Sequence, residues 1–540
     1  MVTAAPKAIP TRREDLIARL AKDAVVDLAI VGGGATGLGV ALDAAARGLS
    51  VVLVESHDFA KGTSSRATKL VHGGVRYLAQ GNISLVREAL HERTTLLNNA
   101  PYLAQPLAFV MPSYRWWELP FYGLGLTLYD LLAGKAGLGK TEFLGKQETL
   151  RLLPMIRPEH LKGGVKYWDG QFNDARLAMA LARSAALRGA LLVNYCRASG
   201  LLYENGKVAG LHCQDTLTGQ EYRVRSKCVV NAAGVWVDEL RESDSNAHEM
   251  RGGSPVKPIV APSQGVHIVV DRSFLASDTA LMVPKTSDGR VLFAVPWLGK
   301  IILGTTDTPR NDLAREPLAF EEEIEFILGE SARYLRKPPT REDVRSIWVG
   351  LRPLVKPQDD GGEATKALSR EHTVIVSRSG LVTVTGGKWT TYRAMAEDVL
   401  ATCAEKQLLP TRPAGATAHL RLVGASAGHA PQPRSISEAP GIHSYGDECA
   451  QVEGLPGGNT ALCDGLSEAM VRFAARHEYA ITVEDMLARR CRLLFLDARL
   501  ARAVAPLVGE ILHQETGIAP QLDDFCNLAA QYLLPCERNL

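Results

Sequence analysis

Residues 27–55 read DLAIVGGGATGLGVALDAAARGLSVVLVE. Leu28–Val31 is a short apolar run that predicts a buried strand. Gly32, Gly34 and Gly37 follow in the spacing G-x-G-x-x-G, and a small-residue helix through Val40, Leu42, Ala45 and Ala46 stops at Gly48. Val51–Val54 predicts a second strand with Glu55 at its end. Strand, glycine turn, helix, strand and acid are together what a dinucleotide site needs. The glycines let backbone approach a pyrophosphate, the helix N-terminus offers N–H groups to its charge, and Glu55 is placed for an adenosine ribose. This stretch does not separate FAD from NAD, and a βαβ unit that binds nothing has the same pattern.

The chain has 540 residues, which predicts several domains with large cores. Its net charge of +2 gives no global case for nucleic acid, so any anion site must be local. Nine cysteines without a C-x-x-C pair predict reduced thiols in a cytosolic compartment; no metal site is expected. No apolar run is long enough for a transmembrane helix.

Residues 56–78, SHDFAKGTSSRATKLVHGGVRYL, form a polar loop after the second strand. Thr63, Ser64, Ser65, Thr68 and Lys69 supply donors, and Gly73 and Gly74 permit tight backbone beside His72, Arg76 and Tyr77. Its position favours cofactor contact over a solvated turn. A helix is predicted over 82–99. The stretch WWELPFYGLGLTLYDLLAGKAGLGK (116–140) is rich in aromatics and leucines. It predicts a buried helix of a substrate domain, the alternative being a segment resting at a lipid interface. Residues 167–172 read as a turn before a helix that starts near Asn173 or Asp174 and ends at Gly189.

Asn205-Gly206 marks a hairpin, and Cys228–Asn231 is a strand whose end, at Ala232, Ala233 and Gly234, permits close approach beside Trp236. Strands at 266–270, 280–283, 291–295 and 301–305 predict an antiparallel sheet, followed by an amphipathic helix over 320–335. Residues 380–400 repeat the strand–glycine–helix pattern, with Gly387, Lys388, Thr390 and Thr391 at the helix start. The Pro-, Gly-, Ala- and Ser-rich stretch 409–460 reads as linker or loose insertion, and the rest as helical, with a capping box at Thr482–Asp485.

Taken together, GGGATG, GTSSRATKLVHGGVRYL, YWDGQFNDARL, VVNAAGVW, ILGTTDT, VGLRPL and VTGGKWTTYR closely resemble the FAD-dependent glycerol-3-phosphate dehydrogenases over roughly residues 24–400. No EF-hand loop and no evident transit peptide accompany them. The polar loop and the second glycine-bounded helix start agree with FAD, since a nicotinamide enzyme needs neither.

The resemblance implies an α/β fold. A Rossmann-like FAD-binding domain (about 24–80, 190–250 and 345–405) would interleave with an antiparallel-sheet substrate domain (about 81–189 and 251–344). An extension (1–23) precedes them, and a helical C-terminal domain (461–540) follows the 409–460 segment. The implied reaction is hydride transfer from C2 of sn-glycerol 3-phosphate to flavin N5, with electrons passed to membrane quinone. The partners implied are that substrate, quinone and a membrane surface on the cytoplasmic side of a bacterial cell, with a homodimer admitted and nucleic acid excluded. Asp307, in GTTD, is implied to lie near the cofactor.

Oxidising this substrate needs a cationic pocket and a proton acceptor. Arg352, stiffened by Pro353 and Pro357, offers a planar fork to an oxyanion. The resemblance groups it with Arg76 and Lys388 at the substrate, and Tyr77 is a further candidate. His267, in QGVHIVV, is the expected base, with His72 as the alternative. Two other readings stand beside this one: an oxidase of the same fold acting on glycerol 3-phosphate or an amine, and a non-catalytic FAD-binding scaffold.

Overall fold

In the computed structural model, residues 9, 11–74, 82–249, 256–356, 371–425 and 434–535 are described. The glycine turn sits in an eight-stranded sheet whose centre is parallel. Val26–Val31 runs between Glu221–Asn231 and Val51–Val54, with Leu28 opposite Cys228 on one side and Val51 on the other. Leu28, Ala29 and Ile30 are fully buried, as a strand covered on both faces requires. Val382–Gly386 and Leu191–Val193 extend the sheet outward. The helix Ala35–Ala46 packs against Tyr392–Glu405 and Asp174–Ala186. Gly39 allows the first contact, because a Cβ there would lie 2.8 Å from the Tyr392 ring.

A ten-stranded, mainly antiparallel sheet faces this one. Val260–Asp271 is its hub: it pairs with Lys300–Gly304 and with Ser346–Val355, so that His267 lies opposite Gly304 and Trp348. The interleaved α/β architecture expected from the sequence is therefore present, with shifted bounds. Ser346–Val355 and Leu70–Val71 belong to the antiparallel sheet, while Asp174–Ala186 packs on the cofactor helix.

Residues 167–172 are strand, not turn: Gly163–Phe172 pairs with Ala104–Ser113 and Glu142–Gly145. Asp169 is accommodated there by Arg93 at 2.9 Å and the Tyr129 hydroxyl at 2.9 Å, which satisfy a carboxylate that otherwise favours turns. The helix after it starts at Asp174, with Asn173 as its cap.

The described part of 409–460 is packed. Leu422, Tyr445 and Val452 are buried, Val423 N–H donates to Ser184, and Glu448 takes both ends of the Arg183 fork. Its secondary structure is confined to the short helical turns Ile442–Glu448 and Cys449–Glu453, and long-range side-chain contacts hold the rest, which is why the composition reads as linker. Helices Glu468–His477, Ala498–Thr516 and Leu522–Gln531 follow. The Thr482–Asp485 capping box is formed reciprocally.

The aromatic stretch forms the helix Glu118–Ala133. Leu126 and Tyr129 face inward, but Trp116 is 79% exposed, Phe121 67%, Leu124 74% and Leu131 73%. The buried-helix expectation is wrong for that outer face. No helix among the described residues is long and apolar enough to cross a membrane.

Candidate active site

The two sheets enclose a cleft of about 790 Å³, in the range that holds a cofactor and a small substrate. At one end lies the glycine turn. Gly32 has φ +109, and a Cβ there would lie 2.5 Å from the Ala232 carbonyl oxygen. Gly34 caps the helix Ala35–Ala46 without a side chain, so the helix N-terminus stays open to the cleft. Glu55 Oε2 accepts from Gly33 N–H at 2.7 Å, and Oε1 accepts from His57 N–H at 2.9 Å. The Ser64 hydroxyl accepts from Ala35 N–H at 2.9 Å, and the Ser64 carbonyl accepts from the Trp389 indole at 2.8 Å. This cradle, in which Gly32, Gly34 and the helix start line the cleft, fits a pyrophosphate-bearing cofactor such as FAD.

Thr63 donates to the Leu351 carbonyl at 2.5 Å, tying the polar loop to the strand that carries Arg352. Trp236 donates to Leu313 and lies under the Arg315 guanidinium. His72 N–H donates to Thr390 at 3.3 Å, joining the loop to the second helix start. Gly74, Gly234, Gly387 and Lys388 line the same cleft.

At the other end Arg352 is held by the antiparallel sheet. Its Nη1 donates to Asp307 Oδ1 and the Gln264 carbonyl, both at 3.2 Å. Its Nη2 donates to Thr305 Oγ1 at 3.2 Å and the Thr306 carbonyl at 3.0 Å. Asp307 thus aims the arginine, and Ser263 donates to the same carboxylate. A side chain at Gly265 would collide with the fork.

His267 is nearly fully buried, with Nε2 2.9 Å from Thr68 Oγ1 and its ring stacked on Trp348 at 5.2 Å and 15°. Its Nδ1 has no hydrogen-bond partner among the described residues. Burial first, then Lys69 and Arg352, holds its pKa well below the ordinary imidazole value, so the ring is neutral.

Four residues expected at the cofactor do not line the cleft. Lys69 is fully buried: its ammonium bonds Asp174 at 2.6 Å and the Ser65 carbonyl at 2.7 Å. Ser65 turns inward with it. Gly37 serves helix packing, since a Cβ would collide with the Gly32 carbonyl. Gly73 serves the Tyr129 contact, donating to that hydroxyl at 2.8 Å. Arg76 and Tyr77 lie outside the described residues. Sequence reasoning missed Arg315 and the apolar floor of Phe109, Tyr167, Met282 and Phe293. Strand register was the signal: Met282 opposes Phe293, and Phe293 opposes Gly304 beside His267.

The fold and cleft define an FAD-dependent oxidoreductase. The family model described as FAD dependent oxidoreductase matches residues 27–393, and one described as the C-terminal domain of alpha-glycerophosphate oxidase matches 415–521. The chain is 42% identical to a probable mitochondrial glycerol-3-phosphate dehydrogenase of Caenorhabditis elegans, over 95% of this chain and 73% of that one. It is 40% identical to the mitochondrial glycerol-3-phosphate dehydrogenase of Homo sapiens, over 94% of this chain and 72% of that one. The glycerol-3-phosphate dehydrogenase of Bacillus halodurans, solved with FAD, superposes with a TM-score of 0.75 at 30% identity, covering 97% of this chain and 98% of that one. The chain belongs to the FAD-dependent glycerol-3-phosphate dehydrogenase family.

Proposed function

We propose that the cleft oxidises sn-glycerol 3-phosphate at C2 to dihydroxyacetone phosphate and that the electrons leave for membrane quinone. The observation that carries this reading is that Arg352, Lys388 and a neutral His267 line the same cleft as the glycine-turn cradle. When bound, FAD supplies the hydride acceptor. Gly32, Gly34 and the helix start hold the pyrophosphate, and Glu55 meets the ribose. Arg352, kept in one plane by Asp307, Thr305 and Thr306, and Lys388 bind the substrate's oxyanions. His267 takes the C2 hydroxyl proton, and Nε2 is where it arrives, being the nitrogen beside the cleft-lining Thr68 hydroxyl.

The exposed row Trp116, Phe121, Leu124 and Leu131 supports peripheral attachment to a lipid surface. Nothing supports the expected placement on the cytoplasmic face of a bacterial membrane over a mitochondrial one: the relatives of Caenorhabditis elegans and Homo sapiens carry mitochondrial names.

A second reading, an oxidase that passes electrons to oxygen, draws on the C-terminal match to alpha-glycerophosphate oxidase. Reoxidation of the substrate-reduced protein separates the two. A soluble quinone analogue should restore the flavin spectrum with little peroxide, and peroxide formed in every turnover would select the oxidase.

A further inference from the structure

Lys69 is a fully buried cation that the reaction does not use, yet it stands beside the base. Its neighbour Thr68 touches His267 Nε2 at 2.9 Å. Its own ammonium lies 5.1 Å from the centre of the Trp348 ring, which stacks on the His267 imidazole. Residues 68 and 69 therefore reach the base twice, once by a hydrogen bond and once through an aromatic ring.

The ammonium is held by two partners, which Arg492 of the C-terminal domain also engages. Asp174, at the start of its helix, takes it at 2.6 Å and also accepts from Ala67 N–H at 3.2 Å. The Ser65 carbonyl accepts from Lys69 and from Arg492 of the C-terminal domain, each at 2.7 Å. Arg492 lies 3.3 Å from Asp174 and stacks over Phe495, which is itself packed against Trp348. Lys69 has φ +65, a backbone state that a lysine keeps only when its surroundings impose it.

We propose that Lys69 is a positioning residue for proton removal: through Thr68 and Trp348 it fixes the His267 ring, and it places a cation behind that ring. This rests on His267 being the base. The groups that bear on the arrangement are Arg66 in the loop, Asp174 on the helix, Arg492 and Tyr532 in the C-terminal domain, and Arg352 on the adjacent strand. Burial brings Lys69 down to about 7, with Asp174 opposing, so below neutrality the ammonium is charged and resists protonation of His267.

The test is the pH dependence of anaerobic flavin reduction by glycerol 3-phosphate in the holoenzyme. Lys69→Gln should move the acid limb up by about one pH unit, the order expected on removing one nearby buried cation. Lys69→Arg, which keeps the charge, should leave it in place. FAD content and substrate KM at high pH should not change, because Lys69 does not reach the cleft. An unmoved acid limb in Lys69→Gln would overturn the proposal, whatever the rate on the plateau. Should that variant not fold, the wild type still decides it. Histidine ring resonances, assigned by their loss in His267→Ala, should stay those of neutral imidazole as pH falls well below the ordinary imidazole range; a titration at the ordinary imidazole value would contradict the inference. Wild-type flavin reduction in His267→Ala would instead remove the base itself, and the inference with it.

Discussion

Gly33 and Glu55 are joined by a 2.7 Å hydrogen bond, the Gly33 N–H donating to Glu55 Oε2. The acid ending the second strand is thus tied to the turn ending the first, and its other oxygen holds His57 N–H. Glu55 organises the cradle as well as facing the ribose. Glu55→Ala leaves two backbone donors unpaired, and hydrogen bonds to a charged group are worth about 1.5–3 kcal/mol each. A ribose hydroxyl donating to this carboxylate makes a bond of the same kind, and its loss should raise the FAD dissociation constant by about 10- to 200-fold. Fluorescence titration of apoprotein with FAD checks this; unchanged affinity would leave Glu55 without a role at the cofactor.

Asp58 should make the fold acid-sensitive. This buried carboxylate accepts from Arg489 at 2.5 Å and from Arg490 at 2.6 and 2.9 Å, joining the polar loop to the C-terminal domain. Burial raises its pKa, but Arg490 and Arg489 prevail and hold it below 3.8. A depressed folded-state pKa contributes stability that is complete above the unfolded value and lost as pH falls through the folded one. Thermal stability should therefore drop below about pH 4. Asp58→Asn should cost about 3–5 kcal/mol at neutral pH, by stranding buried arginine charge, and should flatten the acid limb. Asp485 in the same cluster is pushed up by burial and by Asp58, so a residual slope of opposite sign remains. Melting curves across pH settle it, and equal slopes in both proteins would refute it.

The outer face of the Glu118–Ala133 helix should be dispensable for folding and needed for lipid attachment. Each large apolar side chain moved from water into lipid contributes about 1.5–3 kcal/mol when fully buried. The triple change Phe121→Ser, Leu124→Ser, Leu131→Ser should lower vesicle binding at least about tenfold while leaving the melting temperature nearly unchanged. Cosedimentation with phospholipid vesicles measures it; undiminished binding would assign this face another role.

Much of this was legible in the chain. The parallel core is plain because Leu28–Val31 and Val51–Val54 are uniformly apolar and a glycine turn and small-residue helix connect them. Arg352 and His267 stood out by residue type, and register places them on adjacent strands. The errors share one cause, long-range pairing that composition does not display. Lys69 reads as a cofactor donor until Asp174 and the Ser65 carbonyl claim it. Gly163–Phe172 reads as a turn until Arg93 and Tyr129 neutralise Asp169. The 409–460 stretch reads as linker until Glu448 meets Arg183.

Arg352→Lys should be far from conservative. The fork makes four contacts with Asp307, Gln264, Thr305 and Thr306, and one ammonium reproduces neither its plane nor its reach. A loss of about 10- to 200-fold in kcat/KM for glycerol 3-phosphate is expected. Steady-state kinetics with FAD content verified would show it, and wild-type kinetics would move substrate binding elsewhere in the cleft.

The central claim, oxidation of glycerol 3-phosphate by FAD held in this cleft, is tested most directly by anaerobic titration of the purified holoenzyme. One equivalent of sn-glycerol 3-phosphate per bound FAD should bleach the visible flavin absorbance and yield dihydroxyacetone phosphate. A flavin spectrum unchanged by excess substrate would contradict the account.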